Sequence, residues 1–150
     1  MKTKTQKSDA TCISNLNHLL AGELSAVETY DQALEHLAKE PLADLIENRD
    51  CHSGRVDLLK NKITELGGDP TTTSGVWGGF VRLVEKGASV IGASTVIAAL
   101  EEGEDRGLAA YRDAGHFDVV SRAIIETELL PAQERTHERM SKLQHSMEKV

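Results

Sequence analysis

The chain has 150 residues, of which 39% are hydrophobic but only 3% aromatic, and its formal net charge is −7. That length is enough to bury a core of Leu, Ile, Val and Ala without disulfide or metal staples, and the palette suits helices packed on helices in a single domain spanning residues 1–150. The acidic balance excludes the basic stripe of a nucleic-acid binder and attraction to anionic lipid. No apolar run is long enough to span a membrane, and residues 1–10 carry no hydrophobic signal region, so a cytoplasmic location is expected.

Residues 1–10, rich in Lys and Thr, read as a flexible N-terminus. From Thr11 to Lys39, Ile13, Leu16, Leu20, Val27, Leu34 and Leu37 recur at helical spacing until Glu40-Pro41 interrupts them. A second helix starts at Pro41, which suits a first helical turn, and carries Leu42, Leu45, Ile46, Val56, Leu59, Ile63 and Leu66. It stops at Gly67-Gly68-Asp69-Pro70. So short a connection makes the first two helices antiparallel. Cys12 and Cys51, the only two cysteines, then lie at different heights and too far apart to bridge.

Residues 67–88 form a long crossover with a short amphipathic helix, Trp77, Phe80, Val81 and Val84, flanked by glycines. A third helix is predicted from about Ser89 to Ala114. A fourth runs from an Asp118 N-cap to near Glu148, with Pro131 expected to kink it. Two tight hairpins joined by one long crossover is the connectivity of a ferritin-like four-helix bundle.

Counting about 100° per residue places several polar groups on the apolar faces. Glu23 falls at the centre of the first stripe, Arg49 and His52 fall inward on the second helix, and Glu104 falls inward on the third with Glu101 to one side. Glu134 and His137, spaced i, i+3 on the fourth helix, can ligate one ion together if the helix keeps its face beyond Pro131. Before that proline the face is expected to centre on Ala123, Glu126 and Leu130. A buried carboxylate must be paired, protonated or bound to a cation. His18, His36, His116 and His145 lie off the stripes and read as surface residues.

Leu20-x-x-Glu23-Leu24-x-Ala26-x-x-x-Tyr30 resembles the first-helix pattern of bacterioferritins, Leu66-Gly67-Gly68-Asp69-Pro70 resembles their second-helix ending, and Glu134-x-x-His137 resembles their fourth-helix motif. From about Leu16 to Leu143 the chain resembles the ferritin-like superfamily, and most closely its bacterial four-helix-bundle members of unknown function. The resemblance implies iron or another divalent transition metal as cofactor, with Glu23, His52, Glu104 or Glu101, Glu134 and His137 as ligands. It also implies a ferroxidase-type activity in iron handling or stress protection. The second helix departs from the pattern. In place of Glu-x-x-His it offers Arg49-x-x-His52-x-x-Arg55, and aligned on the Gly-Gly-x-Pro ending His52 takes the Glu position and Arg55 the His position. A cation there opposes a dinuclear centre.

Three readings follow. In the first, the bundle holds one or two metal ions. In the second, it is metal-free, with Glu23 paired to Arg49 or Arg55 and His52 paired to Glu104. In the third, it is an assembly module working through Trp77 and its apolar neighbours. A homo-oligomer, with a dimer favoured, is expected in each case.

Overall fold

A computed structural model describes residues 4–37, 42–74 and 92–148. Among these residues the secondary structure is wholly helical. It comprises α1 (Lys4–His36), α2 (Leu42–Glu65), α3 (Ala93–Arg112), α4 (Val119–Ile124), a π-helical turn (Ile125–Leu129) and α5 (Leu130–Glu148). The Glu40-Pro41 break and the helix expected around Trp77 lie outside the described residues.

The apolar stripe nucleates α1, yet the helix begins at Lys4, seven residues before the pattern starts. Residues 4–10 contain no Gly or Pro, and extending a helix that is already nucleated costs little. The second helix stops where expected. Gly67 takes φ +82°, a conformation open to glycine, and the Gly68 N–H donates to the Ile63 carbonyl (2.9 Å), so the last carbonyls of α2 are satisfied. Asp118 caps α4 by accepting from the Ser121 N–H (3.1 Å), as the sequence predicts.

The interruption of the fourth helix differs from the expected proline kink. It is a π turn, in which the Leu130 N–H donates to the Ile125 carbonyl just before Pro131. Its cause lies in the buried face. Ser121, Ile125, Leu129 and Gln133 are all buried and four residues apart. Over those three steps a regular helix would drift by about 120°, and a turn closed by i→i+5 bonds absorbs the drift with one extra residue. Ala123 and Glu126, expected inward, are exposed.

Contacts across the helices fix their directions. Asn17 meets Asp69 and Tyr30 meets Asn48, so α1 and α2 run antiparallel. Tyr30 meets Glu104 and Glu23 meets Tyr111, so α1 also runs antiparallel to α3. It follows that α2 and α3 point the same way. Arg55 with Ala132 and Arg139 with Glu47 set α5 antiparallel to α2.

Among the described residues the core has two apolar layers. One contains Leu16, Leu20, Leu59, Ile63, Phe117, Ile125 and Leu129. The other contains Tyr30, Leu45, Val96, Ile97, Leu100 and Met140. Each fully buried Leu or Ile contributes about 1.5–3 kcal/mol to holding the helices together. Between these layers lies a belt of polar side chains.

Candidate functional site

Helices α1, α2, α3 and α5 deliver side chains to this belt. Glu23 comes from α1, Asn48, His52 and Arg55 from α2, Glu104 from α3, and Gln133 and Thr136 from α5. All of them are buried. His52 is at the centre. Its Nδ1 lies 2.6 Å from Glu23 Oε2 and its Nε2 lies 2.6 Å from Glu104 Oε1. Both partners are carboxylates, so both ring nitrogens donate and the ring is an imidazolium. Burial works against that charge, but Glu104 and Glu23 more than offset it and raise the pKa of His52 to about 9. Burial likewise favours a protonated Glu23, yet His52 and Arg55 bring its pKa down to about 2. Glu104 is held below its ordinary value against burial, chiefly by His52.

Arg55 completes the neutralisation. It donates to Glu23 Oε1 (3.2 Å), to Gln133 Oε1, and to Thr136 Oγ1 (2.8 Å). Two anions thus face two cations. Tyr111 donates to Glu23 (2.5 Å), and Tyr30 donates to Glu104 (2.7 Å). Gln133 Nε2 (2.8 Å) and Thr136 Oγ1 (2.7 Å) occupy the other Glu104 oxygen. Gln133 reaches α3 because position 107 is glycine, where a Cβ would sit 2.7 Å from Gln133 Nε2. Asn48 donates to Tyr30 (2.9 Å) and accepts from Arg139 (2.5 Å), which carries the chain of bonds to Glu47 at the surface. Between α1 and α3 a cavity of about 110 Å³, lined in part by Leu19, Gly22 and Gly107, opens onto Glu23 and His52. It is room for a few waters.

Glu23, His52 and Glu104 are therefore brought together, and the remaining sequence candidates lie outside this belt. Glu134 is exposed and does not look into the core. The π turn gives the inward positions to Gln133 and Thr136 instead. His137 lies on the outer side of α5, with its Nε2 3.0 Å from Asp105 Oδ1 and 3.7 Å from Glu101 Oε1. These three residues form a carboxylate and histidine group that can hold a metal ion. Burial, then Asp105, raises the pKa of Glu101.

Arg49, counted inward, is instead half-exposed in an ion pair with Asp31 (2.8 Å), and Asn48 has the inward position. The signal was in the sequence. Leu45, His52, Leu59 and Ile63 define a face centred nearer Asn48 than Arg49. His18, His36, His116 and His145 are exposed as expected, and both cysteines are free thiols, Cys12 packed against Ser121.

A dinuclear carboxylate centre of the kind the resemblance implies takes a Glu from each of two helices and Glu-x-x-His from each of the other two. Glu23 and Glu104 suit the first requirement. The i, i+3 pairs facing the belt are His52-x-x-Arg55 and Gln133-x-x-Thr136, which supply two cations, an amide and a hydroxyl. Both carboxylates are already neutralised and both imidazole nitrogens are engaged, so these residues do not fit two metal ions.

Among the described residues, no helix is long and apolar enough to cross a membrane. No curated protein and no solved structure matches the chain. Residues 11–116, well over half of it and reaching three of the four helices that form the belt, match a family described as a domain of unknown function, DUF2383. The chain belongs to this DUF2383 family.

Proposed function

We propose that this protein is a ferritin-like bundle that works without metal in its interior, as a structural or stress-protective scaffold rather than a ferroxidase. The parallel course of α2 and α3, with the long connection it demands, supports the ferritin-like arrangement. One observation carries the metal-free reading. The Arg55 guanidinium, bonded to Glu23, Gln133 and Thr136, stands as a fixed positive charge among the residues an ion would need. Together with the His52 imidazolium it balances Glu23 and Glu104. A metal cation added to that space would be repelled by both of these cations and would have to break bonds already made.

The test is elemental analysis of protein purified without chelator, with Fe(II) oxidation measured for wild type and for Glu23→Gln. The expected result is no interior iron, oxidation at the rate of the buffer alone, and a loss of stability in Glu23→Gln that is the same with and without Fe(II). Iron that co-purifies and is lost in Glu23→Gln would overturn the reading.

A further inference from the structure

Outside the belt, α3 and α5 carry a second group of metal-ligating side chains on their outer face. Glu101 and Asp105 are one helical turn apart on α3, and His137 of α5 projects between them. One donor atom from each residue lies within 4.8 Å of the other two. The imidazole Nε2 is 3.0 Å from Asp105 Oδ1 and 3.7 Å from Glu101 Oε1. Ligands arranged tetrahedrally at about 2.1 Å from one ion are about 3.4 Å apart, so these spacings suit a shared cation.

We infer that Glu101, Asp105 and His137 form a surface site for a divalent first-row transition metal ion, separate from the interior network. The imidazole in the set selects zinc-like or cobalt-like ions over calcium or magnesium, which take oxygen ligands. Three protein ligands leave at least one position to water.

The site is held by rigid elements. One residue before His137, Thr136 is bonded to Glu104 Oε2 (2.7 Å), and Gln133 Nε2 is bonded to the Glu104 carbonyl (2.8 Å), so the backbones on both sides are fixed relative to each other. Glu101 and His137 are each 23% exposed, partly shielded from solvent, whereas Asp105 is open at 67%. The neighbouring cation Arg106 is paired with Glu102 (2.7 Å), and His137 faces the two carboxylates.

Titration of the full chain with Co²⁺, followed by visible d–d absorption and by competition with Zn²⁺, tests the inference. Saturation at one ion per chain is expected, with loss of binding in His137→Ala and weakening of about tenfold or more in Asp105→Asn. Circular dichroism establishes that both variants are folded. Glu23→Gln should bind Co²⁺ as wild type does. No saturable binding, or equal affinity in wild type and His137→Ala, would overturn the site. Binding lost in Glu23→Gln but kept in His137→Ala would overturn both this site and the metal-free reading of the interior, whereas interior iron found alongside a His137-dependent site would overturn only the latter.

Discussion

His52 ties its buried charge directly to the pH dependence of folding. Its pKa rises from 6.5 in the unfolded chain to about 9 when folded, so the stability it contributes is fully present below pH 6.5 and is lost as pH rises through about 9. That contribution is on the order of 3 kcal/mol. Urea denaturation from pH 6 to pH 10 should show a falling midpoint in wild type and a flatter profile in His52→Gln. His52→Ala strands two buried carboxylates and should destabilise the protein by about 3–5 kcal/mol. Glu23 has the opposite sense. Its pKa falls from 4.5 to about 2, so its contribution is present above pH 4.5 and disappears as pH falls toward 2. Gly107→Ala should destabilise for a steric reason, since the new methyl would push the Gln133 amide off Glu104; a midpoint equal to that of wild type would count against this contact. At this scale the sequence was readable where one helix face decides the answer. Glu23, His52 and Glu104 could be counted inward because each lies amid Leu, Ile and Val at regular spacing. Arg55 could be counted only as one candidate partner for Glu23, because a long side chain at the edge of a stripe points either way.

The fourth helix is where periodicity failed. Its start was legible from Asp118, and its two flanks each have a regular apolar pattern, but a one-residue insertion between them leaves no compositional mark. Pro131 hints at an interruption without giving its size or its place. The sequence pointed to Glu134 because the face before the turn was counted through Ala123 and Glu126, whereas Ser121 and Ile125 are the buried positions, and the insertion carries that face on to Gln133. The phase argument can be tested by changing chain length. Deleting Glu126, which is exposed within the π turn, should convert the turn to regular α-helix and leave both flanks facing the core, with a small change in melting temperature. Inserting one alanine at the same place should rotate α5 by about 100°, expose Gln133 and Thr136, and unfold the bundle or severely weaken it. Equal melting temperatures for the deletion and the insertion would refute the account. The antiparallel first hairpin, by contrast, followed from a short connection and two well-spaced stripes, and needed no knowledge of side-chain contacts.

For the molecule as a whole, the belt between the two apolar layers joins all four rods of the bundle through charged and neutral hydrogen bonds. Such a belt adds little net stability over a hydrophobic replacement, because removing ions from water is costly. Its effect is on which assembly wins. A helix rotated by one position, shifted by a turn, or placed in the wrong order buries Glu23 or Glu104 without His52 and Arg55, and that error costs several kcal/mol. An interior of Leu and Met alone would accept such arrangements with small loss. The network is therefore a checksum on assembly, read at the moment the helices close. Replacing Glu23, His52, Arg55 and Glu104 together by apolar residues of similar volume should give a protein as stable as wild type or more so, but with poorer dispersion in its amide proton spectrum, as alternative packings become populated.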